Sequence, residues 1–351
     1  MQPERFDPAA DAAATRLCHE MYLAGLPVDA PNMPGMSQRA FTGWLAKGWT
    51  EARPEAWLVR DGSGQVCGWY LLNLPERENR HIAYLDPLVA PACRRRGFGT
   101  GLVRHAAAEA HWRGRRVLAA EAREGAPAAA FWRALGGTPG ITEASRLLRL
   151  DTIPPGRLAL LRARAQSAAR GYSLVSWEGQ IPEEHHAAVA ALNQAMGDAP
   201  RDEGQEEQRW DEARVRESQQ RVAAQGLRYY TVAARSERTG ELAGMTQVGV
   251  DPFTPRWAFQ EMTAVARPHR GHRLGLLVKV GMLELLADCE PLVKRIYTSN
   301  ADTNEHMVAI NVELGFQVID HWRSWELPVA AMLAPPGAAQ PGTAGSGAAQ
   351  S

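Results

Sequence analysis

Apolar and β-branched residues gather in short runs at 56–59, 65–73 and 82–89, separated by the polar turn Asp61-Gly62-Ser63-Gly64 and by a charged stretch at 75–80. Runs of this length bounded by turn residues predict successive antiparallel strands. From 99 to 110 the period changes, and Leu102, Val103, Ala106 and Ala110 fall on one face of a helix. A strand at 117–122, a short helix from Pro127 to Leu135-Gly136-Gly137 and a strand at 145–150 complete this half. Glycine just past a helical run is an expected terminator.

Residues 153–171 carry Pro154-Pro155-Gly156 and then an Arg- and Ala-rich run of good helix propensity, which reads as a helical linker. Beyond it the order repeats. A strand at 172–177 and helices at 182–196 and 206–225 precede strands at 229–234, 242–250 and 257–265; a helix to 287, a strand at 295–299, a helix closing on Leu314-Gly315 and a strand at 316–327 follow. Residues 335–351 are nearly all Gly, Ala, Pro, Ser, Thr and Gln, too poor in apolar bulk to fold. The expected division is therefore a first domain at 1–152, a linker at 153–171, a second domain at 172–328 and a disordered tail at 329–351.

In each half, between an apolar strand and the long helix that follows it, stands an arginine- and glycine-rich loop. It reads Arg94-Arg95-Arg96-Gly97-Phe98-Gly99 first and Arg270-Gly271-His272-Arg273-Leu274-Gly275 later, 176 residues apart position by position. A solenoid repeats every 20–50 residues or so, whereas this period is that of a whole domain, roughly 100–200 residues. Small residues at a helix start present several backbone N–H groups in one direction, and the helix dipole adds partial positive charge, so the loop suits phosphate. Neither copy ends in the Gly-Lys-Ser/Thr of a nucleotide-triphosphate loop, and neither follows the opening parallel strand of a dinucleotide fold.

Composition narrows the partners. The 39 Lys and Arg balance 39 Asp and Glu, which disfavours a nucleic-acid partner. No run approaches the roughly 18 apolar residues of a membrane span, and Met1-Gln2-Pro3-Glu4-Arg5-Phe6 lacks the order of a secretion signal, so a cytoplasmic protein without membrane partners is expected. Cys18, Cys67, Cys93 and Cys289 form no Cys-x-x-Cys pair and read as reduced thiols. His269 and His272 have no third partner at metal spacing, and no metal is expected.

Antiparallel strands, an Arg-x-x-Gly-x-Gly loop, a helix, a strand and a helix ending in Leu-Gly before a last strand resemble the GNAT (Gcn5-related) N-acetyltransferases. The first loop matches that signature at Arg94, Gly97 and Gly99; the second matches at Arg270 and Gly275 but has Arg273 in place of the middle glycine. With Asn300 and Asn304 downstream, the second copy is similar to a tandem subgroup of actinomycetes that includes mycothiol synthase. The resemblance implies an α/β (α+β) fold of two GNAT domains, each a mixed, largely antiparallel twisted sheet flanked by helices. It implies acetyl-CoA, or another acyl-CoA, gripped by Arg94, Arg95, Arg96, Gly97, Phe98, Gly99 and Thr100, and by Arg270, Gly271, His272, Arg273, Leu274 and Gly275. The ends of the preceding strands, Val89 and Val265, would offer main-chain groups to the pantetheine and thioester, and Asn300 and Asn304 could bind its amide arm.

Glu261 is the candidate base, with Asp86 the corresponding carboxylate of the first half; an acid within an apolar strand has its pKa raised by desolvation. The tyrosine that often serves as acid, four residues before the glycine of Leu-Gly, is Trp132 in one copy and Asn311 in the other. The acceptor would be the amine of a small metabolite, with a non-catalytic acyl-CoA-binding protein as the alternative reading. The acidic run Asp202, Glu203, Glu206, Glu207, Asp211 and Glu212 reads as a solvated face or, less plainly, an entrance for a cationic amine. Trp44, Trp49, Trp57, Trp69, Trp210 and Trp257 read mostly as core, with one or two shaping the acceptor pocket. Whether the chain is a monomer or a homodimer is open.

Overall fold

The computed structural model describes residues 2–48, 54–198 and 200–334. In chain order it contains β1 (Glu4–Phe6), α1 (Ala12–Asp29), α2 (Gln38–Lys47), β2 (Glu55–Arg60), β3 (Val66–Asn73), β4 (Ile82–Val89), α3 (Phe98–Trp112), β5 (Val117–Arg123), α4 (Pro127–Ala134) and β6 (Thr138–Arg149). There follow α5 (Arg157–Ala168), β7 (Tyr172–Glu178), α6 (His186–Ala195), α7 (Glu212–Gln225), β8 (Arg228–Ser236), β9 (Leu242–Val250) and β10 (Trp257–Val265). The last elements are α8 (Leu274–Cys289), β11 (Arg295–Ala301), α9 (Glu305–Leu314), β12 (Gln317–Pro328) and α10 (Val329–Leu333). The mixed, largely antiparallel sheet flanked by helices agrees with the expected fold class. Trp49 and residues 335–351 lie outside the described residues.

All twelve strands form one sheet, in the order β1-β2-β3-β4-β5-β12-β6-β11-β10-β9-β8-β7. The two halves have exchanged their last strands. The final strand of the second half, β12, pairs antiparallel with β5, and the final strand of the first half, β6, pairs antiparallel with β11. Where β6 and β12 meet, Thr138↔Glu326 has its image in Leu147↔Gln317, and Thr142↔Arg323 has its image in Ala144↔His321. The pair Glu143↔Trp322 maps onto itself, so an approximate two-fold axis passes through it.

The exchange carries the cores with it. Trp325 and Leu327 of β12, with Val329 and Met332 of α10, pack into the apolar cluster of β3, β4, β5 and α3. Leu148 of β6 packs into the cluster beneath α8. Residues 329–333, expected in a disordered tail, are thus a helix whose Val329 and Met332 are buried. The expected linker is helical, as α5, but it is no free spacer, because Leu161 and Ala165 are buried in the second core.

Two helices have no counterpart in the sequence reading. The Asp11 side chain accepts a hydrogen bond from Ala14 N at 2.9 Å to cap α1, and Ser37 accepts one from Ala40 N at 3.2 Å to cap α2. Phe41, Trp44 and Leu45 of α2 pack on Leu58, Trp69 and Leu71, closing one face of the first half. The helix expected at 206–225 begins only at Glu212, capped by Asp211. Residues 202–209 run instead along the first half as a clamp. Glu206 N donates to Asn79 Oδ1 at 2.7 Å, Asn79 N donates to Glu206 Oε2 at 3.0 Å, and Ile141 N donates to Asp202 Oδ1 at 2.6 Å. Arg214 of α7, 1% exposed, pairs with Glu78 at 3.0 Å. Burial alone would raise the Glu78 carboxyl, but the Arg209 amide and the Arg214 guanidinium hold it below its ordinary value. Asp202 and Glu206 of the acidic run thus fasten the halves together, while Glu203, Glu207, Asp211 and Glu212 stay on an exposed face.

Candidate active site

In both halves a parallel pair of strands starts together and then parts. β4 and β5 pair at Ile82↔Val117, Ala83↔Leu118 and Tyr84↔Ala119 and no further. β10 and β11 pair at Trp257↔Arg295, Ala258↔Ile296 and Phe259↔Tyr297 and no further. Beyond these points, and past the Gln260 carbonyl that accepts from Thr298 Oγ1 at 3.3 Å, residues 85–89 and 261–265 turn a main-chain edge without a strand partner into a cleft, and backbone groups there need partners from outside the sheet. At the end of each edge the loop arginine folds back on the strand: Arg94 Nε donates to Val89 O at 3.2 Å, and Arg270 Nε donates to Val265 O at 3.3 Å. Arg94 also pairs with Asp29 of α1 at 2.6 Å.

The loops share a backbone despite their different residues. Each has positive φ at two positions, Arg95 (63°) and Gly97 (85°) in the first, Gly271 (87°) and Arg273 (54°) in the second. Glycine and arginine have traded places, so Gly271 does not spare Arg273 the left-handed conformation; each loop holds one arginine there, at a cost of about 1–2 kcal/mol. Ahead of α3 the first helical hydrogen bond runs from Gly101 N to Gly97 O, and ahead of α8 from Leu277 N to Arg273 O, both at 3.0 Å. No side chain caps either helix. The amides of Phe98, Gly99 and Thr100, and of Leu274, Gly275 and Leu276, therefore precede the helical ladder and face an anion site. Phe98 and Leu274 are buried, so they can serve a ligand through main chain alone. These features fit a pyrophosphate and an extended amide-bearing arm, the parts of acetyl-CoA expected to lie here.

Four further side chains at the loops have partners. Arg96 approaches Asp61 at 3.7 Å, and Arg273 pairs with Glu313 of α9 at 3.0 Å. His269 Nδ1 lies 2.8 Å from the Tyr172 hydroxyl, and the His272 ring packs on the same tyrosine with centroids 5.4 Å apart.

The halves differ most on the strand beside the cleft. β3 and β4 pair in unbroken register from Gly68↔Val89 to Asn73↔Tyr84. In β10 the register against β9 breaks between Gln260 and Thr263, which sets Glu261 and Met262 in a bulge. Glu261 there lines a cavity of about 350 Å³ between the sheet and the helices α6 and α7, whose wall includes Tyr229, Gln247 and Trp210. The side chain is exposed on the cavity side of the strand, yet desolvation by the protein around it pushes its carboxyl up to about 7, while a hydrogen bond from the Tyr229 hydroxyl pulls it down. In the first half, burial pushes Asp86 up to about 7 as well, and Asn73 Nδ2 donates to it at 3.4 Å. Across the cleft burial raises Glu121 to about 7, helped by Glu143, Asp86 and Asp202. Trp44 and Trp69 are core, and Trp210 lines the cavity.

Three expectations are corrected. Asn311 is fully buried and does not reach the cleft: its Oδ1 accepts from Lys279 Nζ at 2.7 Å, and its Nδ2 donates to Asn300 Oδ1 at 2.6 Å. It positions Asn300 rather than donating a proton. Asn304 Oδ1 is occupied in capping α9, accepting from Met307 N at 3.3 Å. Cys67 and Cys93 are not separate thiols but a disulfide with Cα atoms 5.5 Å apart, because the β3–β4 pairing puts Cys67 beside the turn that leads into the first loop. Cys18 is a buried free thiol, pushed up to about 12 by burial, and Cys289 is exposed.

Lys279 escaped the sequence reading. It is 2% exposed within α8, burial lowers it to about 7, and its Nζ lies 5.5 Å from the Phe316 ring centroid. Its signal was a lone lysine in the otherwise apolar run Leu274-Gly275-Leu276-Leu277-Val278-Lys279-Val280-Gly281-Met282.

Residues 20–136 match the family model described as the acetyltransferase (GNAT) family. The chain superposes on a tandem GNAT protein from the clavulanic acid biosynthesis pathway with a TM-score of 0.76 and 29% identity, covering 93% of this chain and 98% of that one. It is also similar in fold to a GCN5-related N-acetyltransferase from Sphaerobacter thermophilus, with a TM-score of 0.62 and 17% identity over 93% of this chain and 95% of that one. No curated protein sequence matches the chain. Among the described residues no helix is long and apolar enough to cross a membrane.

Proposed function

We propose that this chain, which belongs to the GNAT acetyltransferase family and carries two copies of its fold, moves an acetyl or related acyl group from CoA to the amine of a small metabolite. The second half is the catalytic one, and the first half binds acetyl-CoA. The observation that carries this reading is the bulge in β10, which presents Glu261 to a cavity beside the parted strands, whereas β4 runs in unbroken register.

Acetyl-CoA supplies an acyl group already activated as a thioester. The helix starts at Leu274 and Phe98, with the backbone of the two arginine-glycine loops, would hold its pyrophosphate. The unpaired edge at 261–265 would direct main-chain groups to the pantetheine arm and the carbonyl oxygen, where a fixed donor typically contributes about 2.7–4 kcal/mol. Glu261 accepts the proton of the attacking amine, and a carboxyl near 7 is matched to that task at neutral pH. Tyr229 keeps the carboxylate aimed into the cavity.

The alternative, an acyl-CoA-binding protein without turnover, draws on one observation: Trp132 and Asn311, at the positions of the family's tyrosine, are both buried. Release of CoA thiol over a panel of amines separates the readings. Turnover that falls about 100-fold or more in Glu261→Gln supports catalysis in the second half, and tight acetyl-CoA binding without release from any amine overturns it. Native mass spectrometry should count two bound acetyl-CoA, one lost in Arg94→Ala and the other in Arg270→Ala. A single site that survives Arg94→Ala would remove the first half's role.

A further inference from the structure

The cavity over Glu261 displays what an acceptor held there must look like. Its polar wall is mostly carboxamide, from Gln180, Asn193, Gln208, Gln219 and Gln247, with two hydroxyls beside them, Glu261 as the one carboxylate, and no lysine or arginine among the lining residues. Gln247 donates to Thr231 Oγ1 at 3.2 Å. The side chains of Gln180, Asn193 and Gln208 have no hydrogen-bond partner among the described residues, so their donors and acceptors are free for a ligand. Arg221 of α7 lies within electrostatic reach of Tyr229 but does not line the cavity.

Carboxamides both donate and accept, which is the complement of a hydroxyl group. They do not neutralise a carboxylate, and a substrate carboxylate would meet Glu261 with no lining cation to offset the repulsion. A volume of about 350 Å³ is at the small end of ligand pockets, roughly 300–1,000 Å³, and suits one sugar- or cyclitol-sized group. Resting on the acetyltransferase reading, we propose that the acceptor is a hydroxyl-bearing primary amine without a carboxylate, such as an amino sugar or amino polyol, and not an amino acid.

Matched amines test this on the full-length protein. Serine carries a carboxylate where serinol has a hydroxymethyl group, and glucosaminic acid stands in the same relation to glucosaminitol, both open chains; isopropylamine is serinol without its hydroxyls. With acetyl-CoA present, kcat/KM for serinol should exceed that for serine and for isopropylamine by about 100-fold, glucosaminitol should exceed glucosaminic acid likewise, and Asn193→Arg should narrow both carboxylate gaps. Calorimetric binding of the same amines to Glu261→Gln gives a readout independent of turnover, with serinol binding measurably and isopropylamine not. Equal or better use of serine, or of isopropylamine, overturns the proposal. If no amine is turned over, the acetyltransferase reading fails, and binding alone decides: serine held as tightly as serinol overturns the acceptor class too.

Discussion

Single residues carry most of the chemistry, and two of them make the sharpest tests. In the role proposed for it Glu261 must be ionised to accept a proton, and with its carboxyl near 7 the log of kcat/KM should rise with pH up to about 7 and then level. The same raised value costs stability: an acid held protonated by the fold stabilises fully below its unfolded value and loses that contribution as pH rises through about 7. Glu261→Gln should therefore remove the rise in residual rate and flatten the fall in stability over pH 5–8, read by urea denaturation. At Gly271 φ is 87° and a Cβ would meet nothing within 4 Å, so Gly271→Ala isolates backbone strain. A loss of about 1–2 kcal/mol is expected on thermal unfolding. Gly62→Ala, with open space and no positive φ, should lose less than about 0.5 kcal/mol.

At the scale of elements, the strand-loop-helix unit was readable because it is local. Arg94, Gly97 and Gly99 sit at fixed offsets from one strand and one helix, and the 176-residue recurrence marks the second copy even with Arg273 in the glycine's place. α1 and α2 were not readable to the same degree; their caps are single residues, Asp11 and Ser37, and α1 has Pro27 inside it. The bulge that exposes Glu261 leaves no mark on an apolar strand, since it is a mismatch between two strands. The helix α8 carries its own prediction through Lys279. An amine lowered to about 7 by burial contributes stability that is present above its unfolded value and lost as pH falls toward 7. Between pH 7 and 9.5 the native protein should gain roughly 2–3 kcal/mol relative to Lys279→Met in urea melts. Equal pH slopes for the two proteins would show that Lys279 stays charged in place.

For the whole molecule, the exchange of β6 and β12 was beyond reach of the sequence, because both strands have patterns that fit either sheet and only their long-range partners differ. It makes the halves interdependent. A fragment of residues 1–152 would leave β5 without β12, β6 without β11, and the α3 core without Trp325, Leu327, Val329 and Met332. We expect that fragment to aggregate or self-associate when expressed alone, and to form a 1:1 heterodimer when co-expressed with 153–351. A monodisperse, cooperatively melting monomer of 1–152 on size exclusion would contradict this.

The same crossing of strands bears on how such a chain changes over generations. In an ordinary duplication a copy that stops working drifts and is eventually deleted. Here deletion of either copy takes away a strand and part of the apolar interior that the survivor cannot replace, so selection on the working copy also preserves its twin. Asp86 on an unbroken strand, Trp132 in place of a phenol and a complete phosphate cradle could then persist side by side, one half decaying as a catalyst while it remains indispensable as a scaffold.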